Sequence, residues 1–111
     1  MSALSEKMRR ARETRVEAGK FTFIVRRPTD MEFATLHGAG PGERILPFVV
    51  GWEGVKEMDL INGGDPHPLA FDEDACREWL SDRPDLFTAL ADAVIASYVA
   101  HVESREAALK N

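Results

Sequence analysis

Apolar and polar positions alternate most clearly in the stretch FTFIVRR, about one fifth of the way along the chain. Phe21, Phe23 and Val25 alternate with the positions between them, and a period of two residues is typical of a strand that buries one face. Pro28 ends the pattern because it lacks the N–H that a strand ladder requires. The sequence therefore predicts a strand over residues 21–27.

A capping-box spacing follows this strand. Thr29 and Glu32 stand three positions apart in TDME, so the Thr hydroxyl can accept from the N–H three residues on while the Glu carboxylate reaches back. A short helix is predicted from here to about His37. The next residues, GAGPGE, form a predicted loop. Their glycines lack the spacing of a phosphate-binding motif, so no nucleotide site is expected there.

The first residues of the chain are highly charged. In SEKMRRARETRVEAGK the apolar positions are sparse, and Arg, Glu and Lys recur at helical spacing until Gly19. Glycine after the last helical residue is a common stop signal. The pattern predicts a solvated helix over about residues 4–18.

The middle of the chain gives weaker signals. RILPFVVGW has β-branched residues that favour a strand, but Pro47 disfavours both a central strand and a helix interior. We expect a short helix or turn that runs into Gly51. The stretch VKEMDLI is then predicted to be extended and to pair with residues 21–27 in a small antiparallel sheet.

The last third of the chain predicts two successive helices. Asp72 is a good N-cap for the first, and the acids after it suit the positive end of a helix. Cys76, Trp79 and Leu80 share one face of this helix at spacings of three and four. Asp82 is predicted to begin the cap of the second helix.

The second helix is predicted to be long, from Pro84 to about residue 108. A helix of about 26 residues would span about 39 Å. Its apolar residues form two neighbouring series. The series are Leu86, Leu90, Val94, Tyr98 and Val102, and Phe87, Ala91, Ile95 and Val99. This face is broader than one small sheet should cover, so either part of it contacts a second chain or the whole is a wide internal core.

Composition sets the class of protein. With 111 residues, 44% of them hydrophobic and 30% charged, the chain is predicted to be a single domain over residues 1–111, a charged N-terminal helix (1–19) preceding the core (20–111). The fold class predicted is α+β and mostly α-helical, with a small antiparallel hairpin or sheet against several helices and a long C-terminal helix.

No export or membrane signal is recognised. The longest apolar runs, ILPFVV and LADAVIASYVA, are shorter than the roughly 20 residues that a bilayer requires. The first 15 residues are charged where a secretory signal would be apolar. The single cysteine, Cys76, excludes an internal disulfide. We therefore expect a cytoplasmic protein without a membrane segment.

Charge is distributed unevenly. Residues 1–30 contain eight Lys/Arg and four Asp/Glu, a net +4, which leaves −9 for the rest of the net charge of −5. A basic front and an acidic body suit contacts between like subunits or with an oppositely charged partner. Nucleic acid is a poorer match, because acids interrupt the basic front. It remains the alternative, through Arg9, Arg10, Arg12 and Arg15.

Candidate chemistry is sparse. The sequence has no nucleophile elbow, paired-histidine helix motif or HxE/CxxC constellation, and His67 stands in a loop with only Asp65 near it. Three or four converging ligands would be needed for a metal. No catalytic residue, cofactor or metal is expected, and the chain is predicted not to be an enzyme.

A family resemblance rests on the order of several short stretches. FTFIVRRPTDMEF, an apolar run into GWEGV, then DL, then PLAFDEDACREWLSDRPDLFTALADAV resembles the tail assembly chaperones of long-tailed, siphovirus-type bacteriophages and prophages. The resemblance covers residues 21 to about 103. It implies a small, mostly helical, non-catalytic protein that forms homo-oligomers in the cytoplasm of the bacterial host. The implied partner is the tape-measure protein, a long and partly apolar helical chain.

Such a chaperone needs exposed apolar surface, which FVVGW and the long helix would supply. The candidate partner-binding residues are Phe48, Val49, Trp52, Phe87, Leu90, Val94 and Tyr98. For Trp52 three roles are open: an anchor in the domain's own core, a partner contact, or stacking on a ligand.

Overall fold

A three-stranded antiparallel sheet and a long C-terminal helix dominate the fold. The computed structural model describes residues 2–36 and 44–110. In chain order the elements are α1 (Ala3–Arg10), β1 (Glu13–Ala18), β2 (Phe21–Arg26), α2 (Asp30–Ala34), a 3-10 turn (Leu46–Phe48), β3 (Val49–Glu53), α3 (Glu57–Leu60), α4 (Glu73–Ser81) and α5 (Pro84–Lys110). The predicted class, α+β and mostly helical, is confirmed.

The sheet has the order β1-β2-β3, with the predicted strand β2 at its centre. Both neighbours pair with β2 antiparallel, and a bulge between Ile24 and Val25 shifts the register with β3. Phe21, Phe23 and Val25 are buried, as the alternation predicts. One face of the sheet therefore forms one wall of the core.

The predicted N-terminal helix over residues 4–18 is wrong in its second half. The helix ends at Arg10, and β1 pairs with β2, placing Val16 opposite Phe23. This hairpin satisfies the backbone of β1 and packs Val16 against the core. The glycine expected to stop a helix, Gly19, instead forms the hairpin turn with φ 60°.

The third strand is also not the one predicted. VKEMDLI was expected to pair with β2, but β2 pairs with β3, and α3 lies within VKEMDLI. The Asp59 carboxylate accepts the backbone N–H of Lys56 at 2.9 Å and so caps α3. Pro47 lies in the short 3-10 turn before β3, which agrees with the turn expected there, although the strand begins immediately afterwards.

The capping box before α2 is confirmed. The Thr29 hydroxyl accepts the N–H of Glu32 at 3.2 Å, and the Glu32 carboxylate accepts the N–H of Thr29 at 3.0 Å. Arg26 at the end of β2 donates to both Glu32 carboxylate oxygens, at 2.9 and 3.2 Å. This fork fixes α2 against the sheet. The predicted helix end at His37 and the GAGPGE loop lie outside the described residues.

The two C-terminal helices form as predicted. The Asp72 carboxylate accepts the N–H of Ala75 at 3.0 Å, which caps α4, and α4 buries Cys76, Trp79 and Leu80. Asp82, predicted to cap α5, lies at the end of α4 instead, where its N–H donates to the Trp79 carbonyl at 3.1 Å.

The core lies between the sheet and the helices α4 and α5. Phe21 contacts Trp79 edge to face at 4.9 Å between ring centroids. From α5 the core receives Leu86, Leu90 and Val94, with exposed fractions of 1% or less. One face of the helix is thus held against the domain over its first half.

Length and composition alone would allow α5 to cross a membrane, contrary to the expectation from the shorter apolar runs. An 18-residue window of this helix has a mean hydropathy of 1.3, and 22% of that window is buried. A core helix of a soluble protein meets the same criterion, and the buried residues of α5 are those packed on the sheet.

Candidate partner-binding surface

Trp52 is part of the core. Its exposed fraction is 7%, and its indole N–H donates to the backbone carbonyl of Leu69 at 3.0 Å. The indole ring meets Phe71 edge to face at 5.0 Å and Trp79 at 6.2 Å between centroids. Of the three roles open for this side chain, the structure supports the core anchor.

Most of the predicted partner-binding residues belong to the same core. Those with exposed fractions of 7% or less are Phe48, Val49, Trp52, Leu90 and Val94. The sheet and the helices cover these five side chains in the folded chain, so they form no exposed surface there, and their role in partner binding stays a prediction. Phe87 and Tyr98 are only partly buried. Among the predicted residues, only these two leave part of their side chains accessible to a partner.

Tyr98 fastens the distal half of α5 to α2. Its ring stacks on Phe33 with centroids 3.9 Å apart and an interplanar angle of 11°. The Tyr98 hydroxyl donates to an Asp30 carboxylate oxygen at 2.9 Å, and Arg105 donates to the other at 2.7 Å. The bond from Arg105, followed by that from Tyr98, lowers the pKa of the Asp30 carboxyl. Tyr98 is therefore engaged within the chain.

Two exposed apolar side chains of α5, Ile95 and Val99, lie close to Tyr98 along the helix. We define the α5 stripe as Ile95, Val99 and Val102, which follow each other at helical spacings of four and three. The exposed fractions of Ile95 and Val99 are 42% and 45%, and Val102 is half-buried. Both apolar series of α5 were visible in the sequence, but only the packed structure separates the buried face from the uncovered one.

Acidic side chains flank the stripe. Asp92, Glu103 and Glu106 are exposed on α5, and the last two follow Val99 and Val102 by one helical turn. None of the ion pairs in the described part of the chain engages these three carboxylates. Apolar contact surface and solubilising charge are therefore adjacent on one helix.

The four arginines of the nucleic-acid alternative lie on different elements. Arg9 and Arg10 are exposed on α1. Arg15 lies on β1 and forms an ion pair with Glu53 of β3. Arg12 is half-buried, and its Nε is buried without a hydrogen-bond partner. The structure thus divides this basic segment between a helix and a paired strand.

Groups that could support chemistry are dispersed. Within residues 2–36 and 44–110, no three or more His, Cys, Asp or Glu side chains are grouped to hold a metal ion. Cys76 is buried, and burial raises the pKa of its thiol to about 12. His67 and Asp65 lie 3.8 Å apart on an exposed loop.

Comparisons with protein families, with curated proteins and with solved structures find no match to this chain.

Proposed function

We propose that this protein is a non-catalytic, tail assembly chaperone-like protein that binds the tape-measure protein during phage tail morphogenesis in the bacterial cytoplasm. The resemblance of residues 21 to about 103 to tail assembly chaperones suggests the partner. The observation that carries the proposal is the α5 stripe, a row of exposed and half-buried apolar side chains on a helix whose other face packs against the sheet.

The stripe suits a helical partner. Ile95, Val99 and Val102 form a ridge along the helix axis, and ridges of this kind pack into the grooves of a second helix. Tyr98 donates a hydrogen bond to Asp30 and stacks on Phe33. These contacts order this part of α5 before a partner binds. Binding by a pre-ordered surface loses less conformational entropy than binding by a mobile one.

The acids beside the stripe suit a chaperone that must remain soluble. The chain has a net charge of −5, and Asp92, Glu103 and Glu106 place part of that charge next to the apolar ridge. Charges of one sign around an exposed apolar surface repel other copies of the protein and so oppose non-specific association. An apolar helical client can then be covered without precipitation of the complex.

The nucleic-acid alternative has less support. A phosphate-binding surface requires several cations on one face, and Arg15 is already paired with Glu53 on the sheet. Within the described basic segment, α1 retains a short cluster of exposed cations, Lys7, Arg9 and Arg10.

Co-expression with the tape-measure protein of the same phage tests the proposal. The double variant I95D/V99D places two charges on the stripe, and we expect it to lose co-purification of the tape-measure protein and to leave that protein insoluble. The matched control is Ala100→Asp. Ala100 is exposed and follows Val99 in sequence, so it is turned by about 100° around the helix.

Circular dichroism and urea denaturation of both variants show whether the fold is retained. The proposal holds if I95D/V99D is folded but no longer captures the tape-measure protein, while A100D captures it as the wild type does. Equal capture by all three proteins would refute the stripe as the binding site.

A further inference from the structure

A second apolar surface lies between α3 and α4, away from the α5 stripe. We define the α3–α4 groove by its lining residues, Leu60, Ile61, Ala75, Glu78, Trp79 and Asp82. Ala75, Glu78 and Trp79 of α4 and its C-cap Asp82 fall at i, i+3, i+4 and i+7, so they lie along one side of the helix. The exposed fraction of Ile61, the residue after α3, is 61%, and that of Met58 on α3 is 50%.

The rim of the groove is acidic and unpaired. Glu78 and Asp82 stand one turn apart and are exposed. The cations next to them in the chain, Arg77 and Arg83, form ion pairs with other carboxylates. No ion pair among the described residues engages Glu78 or Asp82. The groove thus combines an apolar floor with two free negative charges.

Helix α1 has the complementary character. Leu4 and Met8 stand one turn apart with exposed fractions of 67% and 56%. None of the residues of α1 is buried against the rest of the chain. Lys7, Arg9 and Arg10 occupy its last turn, and none of these cations takes part in an ion pair of the described chain. An amphipathic helix laid into an apolar groove is a common mode of recognition.

We propose that α1 of one copy of this chain docks in the α3–α4 groove of a second copy. Leu4 and Met8 cover the groove floor beside Trp79, and the cations of α1 face Glu78 and Asp82. Neither surface includes the α5 stripe, so this inference does not depend on the proposed function.

In its own chain α1 is attached away from the α3–α4 groove. The groove that it fits therefore belongs to a second copy. Just after α1, the Arg12 carbonyl accepts the N–H of Arg27 at 2.8 Å, which fixes the junction at the end of the β1–β2 hairpin. Arg9 lines a different surface pocket, together with Phe71 and Glu73. Each copy therefore presents one free α1 and one free groove.

The size of the contact predicts weak, reversible association. An eight-residue helix is about 12 Å long, and an interface of that length is smaller than those of stable complexes. Its ionic part weakens as salt screens exposed charges. We expect an average mass that rises with protein concentration above the monomer mass of 12.4 kDa and falls again at high salt.

Charge reversal followed by light scattering tests the pairing. One variant, K7E/R10E, makes α1 acidic, and the other, E78K/D82K, makes the groove basic. Each alone should remain monomeric at concentrations where the wild type assembles, because its own helix and groove then repel. An equimolar mixture of the two should assemble again, because every α1 then meets an oppositely charged groove on the other variant.

The control is E103K/E106K, which makes a similar change of charge on α5 and should assemble as the wild type does. Circular dichroism confirms that all variants are folded. The proposal is overturned if the wild type is monomeric at every concentration or if the mixture does not assemble. It is also overturned if assembly is insensitive to salt and lost in E103K/E106K, which would assign the interface to α5.

Discussion

The indole N–H of Trp52 donates a hydrogen bond of 3.0 Å to the backbone carbonyl of Leu69. Trp52 lies on β3, and Leu69 lies in the segment that leads from α3 to α4. The Leu69 N–H in turn donates to the carbonyl of Val55 at 2.8 Å. These bonds tie the irregular segment to the sheet, and they explain why a Trp with a polar ring edge lies at the core boundary.

Replacing Trp52 with Ala should therefore unfold the domain more than it changes any surface. Truncation of a buried Trp costs about 3–5 kcal/mol, a large part of the stability of a typical domain. Urea denaturation measures the loss. W52F keeps an aromatic ring but leaves the Leu69 carbonyl without its donor, so its cost should be smaller. A W52A protein as stable as the wild type would contradict the core assignment.

Several elements of the fold could be predicted because their signals lie within a few neighbouring residues. The alternation in β2, the Thr29–Glu32 capping box and the Asp72 cap each depend on residues close together in sequence. The same is true of α5, which no glycine or proline interrupts after Pro84. These elements form as predicted because their local preferences agree with the packing around them.

The errors concern elements that depend on distant partners. The sequence of β1 predicts a charged helix because Val16 and Ala18, near its end, are its only apolar residues. The strand conformation of β1 comes from its pairing with β2. The sequence could not show which apolar side chains of the candidate surface stay exposed, for a similar reason. Spacing identifies the apolar positions of α5, but whether Val94 or Ile95 is covered depends on where the sheet packs.

The hairpin turn offers a test of backbone strain with an internal control. Gly19 has φ 60°, and a Cβ added there would lie 3.1 Å from Cδ2 of Leu86. G19A should cost about 1–2 kcal/mol for the left-handed backbone, plus the contact with Leu86. G54A, with φ 72° and no atom within 4 Å of the added Cβ, carries the backbone strain alone. Thermal denaturation should rank G19A below G54A, and the reverse order would exclude the Leu86 contact.

Glu32 should contribute to the acid sensitivity of the fold. Hydrogen bonds from Arg26 are the main cause that lowers the pKa of the Glu32 carboxyl from 4.5 to about 2. A carboxylate with a lowered pKa stabilises the folded state above pH 4.5, and this contribution is lost as the pH falls towards 2. E32Q should be less stable at neutral pH and should show a flatter dependence across that window.

The control for this measurement is E103Q, which neutralises an exposed carboxylate on α5. Urea denaturation at several pH values compares the two variants with the wild type. If the free energy of unfolding of E32Q depends on pH between 4.5 and 2 in the same way as that of the wild type, Glu32 does not contribute to the acid sensitivity.

Cys76 should react slowly in the native protein. It is buried with an exposed fraction of 3%, and burial raises the pKa of its thiol to about 12, whereas alkylating reagents require the thiolate. Iodoacetamide labelling followed by mass spectrometry should therefore be orders of magnitude slower in buffer than in urea. Equal rates in the two conditions would show that α4 opens readily from the core.

The central claim is that the α5 stripe contacts a helical segment of the tape-measure protein, and photo-crosslinking tests it most directly. A photo-reactive amino acid at Val99 is compared with the same residue at Ala100, the neighbouring exposed position, during co-expression with the tape-measure protein. We expect Val99 to form a crosslink that maps to an apolar helical segment of the tape-measure protein, and Ala100 to form little. Absence of a Val99 crosslink in a sample where both proteins are present and folded would contradict the account.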